Sequence, residues 1–165
     1  MVFNSCFDII GPIMVGPSSS HTAGVVSIGK FGHDLFGGIP DSVNITFFDS
    51  FSETYQGHGT DKAIVGGLLG LETDNPRIKH AFELADKQRM NVSFQLEENC
   101  PYYEHPNTLL IDMKNEANTI EIGGVSLGGG VSKIFLINGQ SADILLNSKI
   151  DIESIRQRYL LQERR

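Results

Sequence analysis

The chain is predicted to form an α+β domain in which a mixed, mostly antiparallel sheet is covered by helices. Three segments, 25–36, 62–71 and 77–90, place apolar residues at the helical period. About five shorter segments, 42–48, 91–96, 109–113, 119–122 and 133–137, read as strands, several by polar–apolar alternation. Helices and strands occur in mixed order, without the strict alternation of a doubly wound parallel fold.

Taken in order, Val2 to Ile10 is apolar and reads as a short strand or helical turn. The first helix, with apolar residues at Val25, Ile28, Phe31 and Leu35, stops at Gly37-Gly38. Pro40-Asp41 turns the chain into the strand Ser42 to Phe48, and Asp49 to Ser52 continues or bends it. Thr60 or Asp61 is placed to cap the helix from Lys62 to Leu71. That helix is apolar nearly all round, so it should be buried, and its glycines permit another backbone to come close. Asp74-Asn75-Pro76 opens the third helix, with Ile78, Ala81, Phe82 and Ala85 facing inward. The stretch Gly123 to Gly130 lacks the Gly-Lys-Ser/Thr ending of a phosphate loop and reads as a glycine-rich strand connection. No repeat or second domain is visible. The expected division is a domain over 1–140 and a C-terminal helical tail over 141–165, its helix running from Asp151 to Leu161.

The 165 residues suffice for one domain with a real core, and 40% hydrophobic with 20% charged residues is ordinary for a soluble protein. The net charge of −7 argues against nucleic acid and anionic membrane as partners. No segment approaches a membrane span, and the N-terminus lacks the pattern of a signal peptide. Two sequons, at Asn44 and Asn91, are therefore read as chance matches. The two cysteines, Cys6 and Cys100, have no spacing that demands a disulfide. They are too few for a zinc ribbon or a self-contained iron–sulfur site, so no metal ligands are assigned to this chain. Free thiols and the cytoplasm follow as expectations.

The densest polar run is Gly16-Pro17-Ser18-Ser19-Ser20-His21-Thr22-Ala23-Gly24, preceded by Gly11-Pro12. The serines fall at or just before a helix N-terminus, where unpaired N–H groups and the dipole favour an anion. Ser18, Ser19 and Ser20 could equally be simple caps. Two further polar turns carry a histidine: Gly57-His58-Gly59-Thr60-Asp61 and His105-Pro106-Asn107-Thr108. Each lies at an element boundary, where functional groups collect on a rigid scaffold. His33 and His80 fall within helices and read as structural or surface residues.

The run from Phe7 to Gly24, the turns at 57–61 and 105–108, the stretch Ser126 to Gly130 and Ile137-Asn138-Gly139 occur in the order found in the beta chain of iron–sulfur L-serine dehydratase. The chain resembles that family over roughly residues 7 to 139. The resemblance implies a lyase of amino-acid metabolism and gluconeogenesis that converts L-serine to pyruvate and ammonia. It implies a [4Fe–4S] cluster held by the cysteines of a separate alpha subunit, and so a heterodimer; a homo-oligomer remains open. His21 takes the role of base on this basis, oriented by Thr22, with His105 the second candidate for proton transfer. Asn107 would position the substrate beside Thr108, and the N–H groups of Ser18 to Ser20 would receive its carboxylate. His58 and Thr60 line the site or support it. The residues after Gly139 are too few for the ACT domain that many family beta chains carry. A related fold serves as an allosteric serine-binding domain in some phosphoglycerate dehydrogenases, so a non-catalytic serine-binding regulatory domain is the alternative. A metal hydrolase has no support, because no His-x-x-x-His pair exists.

Overall fold

The computed structural model describes residues 20–57 and 59–161, with side chains from Thr22 onward except at His58. The segment expected at Val2 to Ile10, the Gly-Pro turns, Ser18, Ser19 and His58 lie outside the described residues, as do the side chains of Ser20 and His21.

Among the described residues six strands form one sheet: β1 (Ser42–Phe48), β2 (Asn91–Glu97), β3 (Thr108–Lys114), β4 (Thr119–Gly128), β5 (Val131–Ile137) and β6 (Gln140–Leu145). Their order across the sheet is β2-β1-β3-β4-β5-β6. Only the β1–β2 pair is parallel; the other four pairs are antiparallel. The mixed, mostly antiparallel α+β fold is therefore as expected.

The helices are α1 (Ser20–Phe36), α2 (Ser50–Thr54), α3 (Thr60–Leu68), α4 (Ala81–Lys87) and α5 (Ile152–Tyr159), with a 3-10 turn at Pro76–His80. Alternation along β1 sends Val43, Ile45 and Phe47 into the core and leaves Asn44 on the polar face, where it bonds Gln95. Helix α1 lies on the apolar face with Val25, Ile28, Phe31 and Leu35 buried. It ends as anticipated: Gly37 has a φ of +91°, and the N–H groups of Gly37 and Gly38 both return to the carbonyl of His33. The expected burial of α3 is complete from Ala63 to Leu68.

Some boundaries differ from expectation. Neither Thr60 nor Asp61 caps α3: the cap position is Gly59, left-handed at φ +69° and ψ +19°, and no side chain bonds there. A left-handed residue before the helix suits glycine, and the helix starts at Thr60, two residues before the expected Lys62. Asp49 to Ser52 leaves the sheet and starts α2. The helix after Pro76 begins as a 3-10 turn, with Asn75 accepting from Arg77 N at 2.9 Å, before α4 follows. Ile78, Ala81 and Ala85 are buried there and Phe82 partly so.

The helical tail was expected to begin at residue 141, but Gln140–Leu145 forms the edge strand β6. Asn138 and Gly139, at φ +47° and +75°, make the tight turn that folds β6 back onto β5. The helix itself, α5, is present and is packed onto the domain. Tyr159 is buried, and Arg156 donates from Nε to the Leu35 carbonyl (3.1 Å) and from Nη2 to the Asp34 carbonyl (2.6 Å). Arg156 thus satisfies carbonyls that the last turn of α1 leaves open.

The opposite face of β3–β5 is covered by the loop after β2. Tyr103 stacks on Phe135 at 4.8 Å, with Cys100, Leu110 and Leu127 around them. No described helix is long and apolar enough to cross a membrane.

Candidate functional site

Strand direction decides which loops meet. β3 runs opposite to β1, β4 opposite to β3, and β5 opposite to β4. The end of β1, the start of β3 and the β4–β5 hairpin therefore share one end of the sheet. The register makes this concrete: Phe47 pairs with Leu109, Thr108 with Val125, and Ser126 with Ser132. Helix α1 begins over this row. A Cβ on Gly24 would stand 2.7 Å from Ser126 Oγ, so only glycine lets the helix settle this close.

Helix α3 joins the same end. Its contacts with α1 advance along both helices, Gly29 meeting Ile64 and His33 meeting Leu68, so the two run in the same direction. Thr60, at the start of α3, donates its N–H to the Tyr55 carbonyl at 2.9 Å. The Tyr55 ring lies 5.3 Å from that of Phe47, the β1 residue in the row.

The His105 turn is closed by its own groups. Asn107 N–H donates to His105 Nδ1 at 3.1 Å, and Thr108 Oγ1 donates to the His105 carbonyl at 3.3 Å. The turn is tied to the hairpin by Ser126 N–H, which donates to the Asn107 carbonyl at 3.0 Å. His105, Asn107 and Thr22 are half-buried, whereas Thr108 and Thr60 are fully enclosed. The Thr108 hydroxyl is thus engaged in closing the turn. Asp61, in the first turn of α3, has its carboxyl pushed up by burial, while the Lys62 N–H at 2.8 Å opposes that shift.

Of the residues singled out in the sequence, Thr22, Thr60, His105, Asn107 and Thr108 come to this one end, with the backbone of Ser20 and His21 in the first turn of α1. Ser18, Ser19 and His58 lie outside the described residues. The two other histidines are elsewhere, as expected. His33 Nδ1 is 3.0 Å from the Leu68 carbonyl, and exposed His80 faces Glu83.

Two serines without an assigned role, Ser126 and Ser132, form the floor of this end. Both are completely buried, and among the described residues Ser132 Oγ has no hydrogen-bond partner. The contact of Gly24 with Ser126 spans a hundred residues of chain, and no local pattern announces it.

The fold and this polar end define a small α+β domain that presents histidine and hydroxyl turns on one rim. The family model for the serine dehydratase beta chain matches residues 5–133, and the chain belongs to that family. It is 47% identical over 139 residues to the probable L-serine dehydratase beta chain of Bacillus subtilis (strain 168), covering 84% of this chain and 62% of that protein. It is 43% identical over 136 residues to the L-serine dehydratase beta chain of Peptoniphilus asaccharolyticus, covering 82% of this chain and 61% of that protein. Identity to the L-serine dehydratase of Helicobacter pylori strain J99 is 32% over 138 residues, 72% of this chain and 30% of that protein. The chain thus spans less than two thirds of the length of each of these relatives.

Proposed function

We propose that this chain is the beta subunit of an L-serine dehydratase, acting with an alpha subunit to convert L-serine to pyruvate and ammonia in the cytoplasm. The observation that carries the reading is the meeting, at one end of the sheet, of the starts of α1 and α3, the His105 turn and the β4–β5 hairpin. These are the segments that the family resemblance marks in sequence.

The chain's own donors do not fit a four-iron cluster. The sequence has two cysteines, and among the described residues no three of His, Cys, Asp and Glu stand together as a metal site. The cluster is accordingly assigned to the alpha subunit, and no step here is routed through it. What this chain supplies is substrate handling. The α-proton of serine is weakly acidic and needs a positioned base. In this reading His21 takes that proton, and Thr22 steadies it from the same helical turn. The N–H groups around Ser18 to Ser20 receive the substrate carboxylate. Asn107 and His105 face the substrate from the start of β3, while Thr60, His58 and Thr108 support the rim. That rim is the surface offered to the alpha subunit, because the serine hydroxyl must reach groups this chain does not hold. The free thiol of Cys100 and the net charge of −7 support a cytoplasmic enzyme that uses no nucleic acid or membrane partner.

The test is anaerobic titration of the chain with a serine dehydratase alpha chain, following pyruvate. The chain alone is expected to be colourless and inactive, with activity saturating at a fixed ratio. Pyruvate from the chain alone would overturn the subunit assignment.

A further inference from the structure

The two edge strands of the sheet, β2 and β6, differ. β6 is bulged against β5 and runs beside α5, with Gln140 Nε2 donating to the Tyr159 carbonyl at 3.3 Å. A bulge and a neighbouring helix both blunt an edge. β2 pairs with β1 in unbroken register from Asn91 to Glu97, and no strand among the described residues lies on its outer side. It carries no proline and no lysine, the usual guards of an edge. Phe94 stacks on Phe47 at 5.8 Å and meets Phe82 edge-on at 6.2 Å, which holds the strand to the core. The hydrogen bonds at its ends fix which groups point outward. Asn91 donates its N–H to the Asp41 carbonyl at 2.9 Å, and the Glu97 carbonyl accepts the Asp49 N–H at 3.2 Å. In a parallel ladder alternate residues bond the same neighbour, so the odd-numbered residues of β2 face β1. The N–H and C=O groups of Val92, Phe94 and Leu96 therefore face away from the sheet, and the Leu96 side chain is 50% exposed. Charge is sorted along the strand: exposed Lys87 and Arg89 precede it, and exposed Glu97 and Glu98 close it.

We propose that β2 docks on β2 of a second copy of this chain, antiparallel, about a two-fold axis at Phe94. In that register Phe94 faces its own counterpart and Val92 faces Leu96. These are the residues whose backbone groups point outward, so each pair exchanges both hydrogen bonds. Val92 of one copy covers Leu96 of the other, and Ser93 lies opposite Gln95 on the polar face. Glu97 and Glu98 of one copy run alongside Asn91, Met90 and Arg89 of the other, so each acidic end meets a basic end. Parallel pairing would set Glu97 against Glu97, and it would not close on itself. The antiparallel pairing also points the two rims in opposite directions and leaves each open to an alpha subunit. The pairing itself does not depend on the dehydratase reading.

Sedimentation of the chain, alone and with its alpha subunit, tests the edge. A dimer of this chain is expected in both. Leu96→Pro removes an outward N–H and leaves the ladder to β1 intact. It should raise the dimer dissociation constant about tenfold or more while the circular dichroism spectrum is kept. Arg89→Glu should weaken the dimer, and Glu98→Arg added to it should restore it. In a chain carrying both Ser93→Cys and Gln95→Cys, the register sets the two cysteines opposite each other across the axis, about 4.5 Å apart at Cα, within the reach of a disulfide. Oxidation should then give a covalent dimer that the unvaried chain does not give. A monomer at every concentration would overturn the proposal, as would a dimer indifferent to Leu96→Pro. Loss of the 93–95 cross-link when the alpha subunit binds would give the edge to that subunit and overturn it as well.

Discussion

Gly29 of α1 and Gly67 of α3 meet backbone against backbone. A Cβ on either would stand 3.0 Å from the Cα of the other, and one on Gly67 would also run into the Val26 carbonyl. This contact fixes how far apart the two helices lie, and so where Thr60 stands relative to the first turn of α1.

Gly67→Ala should therefore destabilise the chain by about 1–3 kcal/mol, because overpacking at a backbone contact outweighs the better helix propensity of alanine. Gly57→Ala is the control, since its nearest atom would be the Thr54 carbonyl at 3.9 Å. Chemical denaturation of both variants checks this: equal stability would mean that the helices do not depend on the close approach.

Arg156→Ala should cost about 1–2 kcal/mol, since it strips a charged donor from two carbonyls at the end of α1. The exposed Glu153 that pairs with Arg156 should matter far less, so Glu153→Ala should be close to neutral. Thermal melts of the two variants would separate these contributions.

Glu121 faces Asp112 across β3 and β4, and its pKa is raised by burial first and by the Asp112 charge second. A carboxyl whose folded pKa is raised stabilises the fold below its unfolded pKa, and that contribution is lost as pH rises through the folded value. Glu121→Gln removes the cost of ionisation. The variant should melt above the unchanged chain at neutral pH, and the gap should close as the pH falls below the ordinary glutamate range. A gap that widens in acid would contradict this account of the pair.

Much of the fold was legible because its periodicities are local. The alternation in Ser42 to Phe48 and the glycine stop at Gly37-Gly38 need no knowledge of the rest of the chain. β6 was missed although Asn138-Gly139 is a hairpin signal followed by alternating residues, because the charged helix after Asp151 set the reading of everything beyond Ser141. The cap of α3 was misplaced because Ser, Thr and Asp are the usual caps, and a left-handed glycine can do the same work. At the site, the three histidine turns were visible as polar punctuation. That the starts of α1 and α3 and the His105 turn meet follows only from strand direction. The Gly24–Ser126 contact depends on tertiary register, which no single segment encodes.

The central claim is that the rim at the start of α1 carries the base for serine dehydration. The most direct test is His21→Ala in the enzyme assembled with its alpha chain, with pyruvate formation and the melting temperature measured on the same preparation. A general base contributes about 10²–10⁴-fold, so kcat should fall about a hundredfold or more while the melting temperature stays nearly unchanged. Near-normal turnover by His21→Ala would contradict the account and place the base elsewhere.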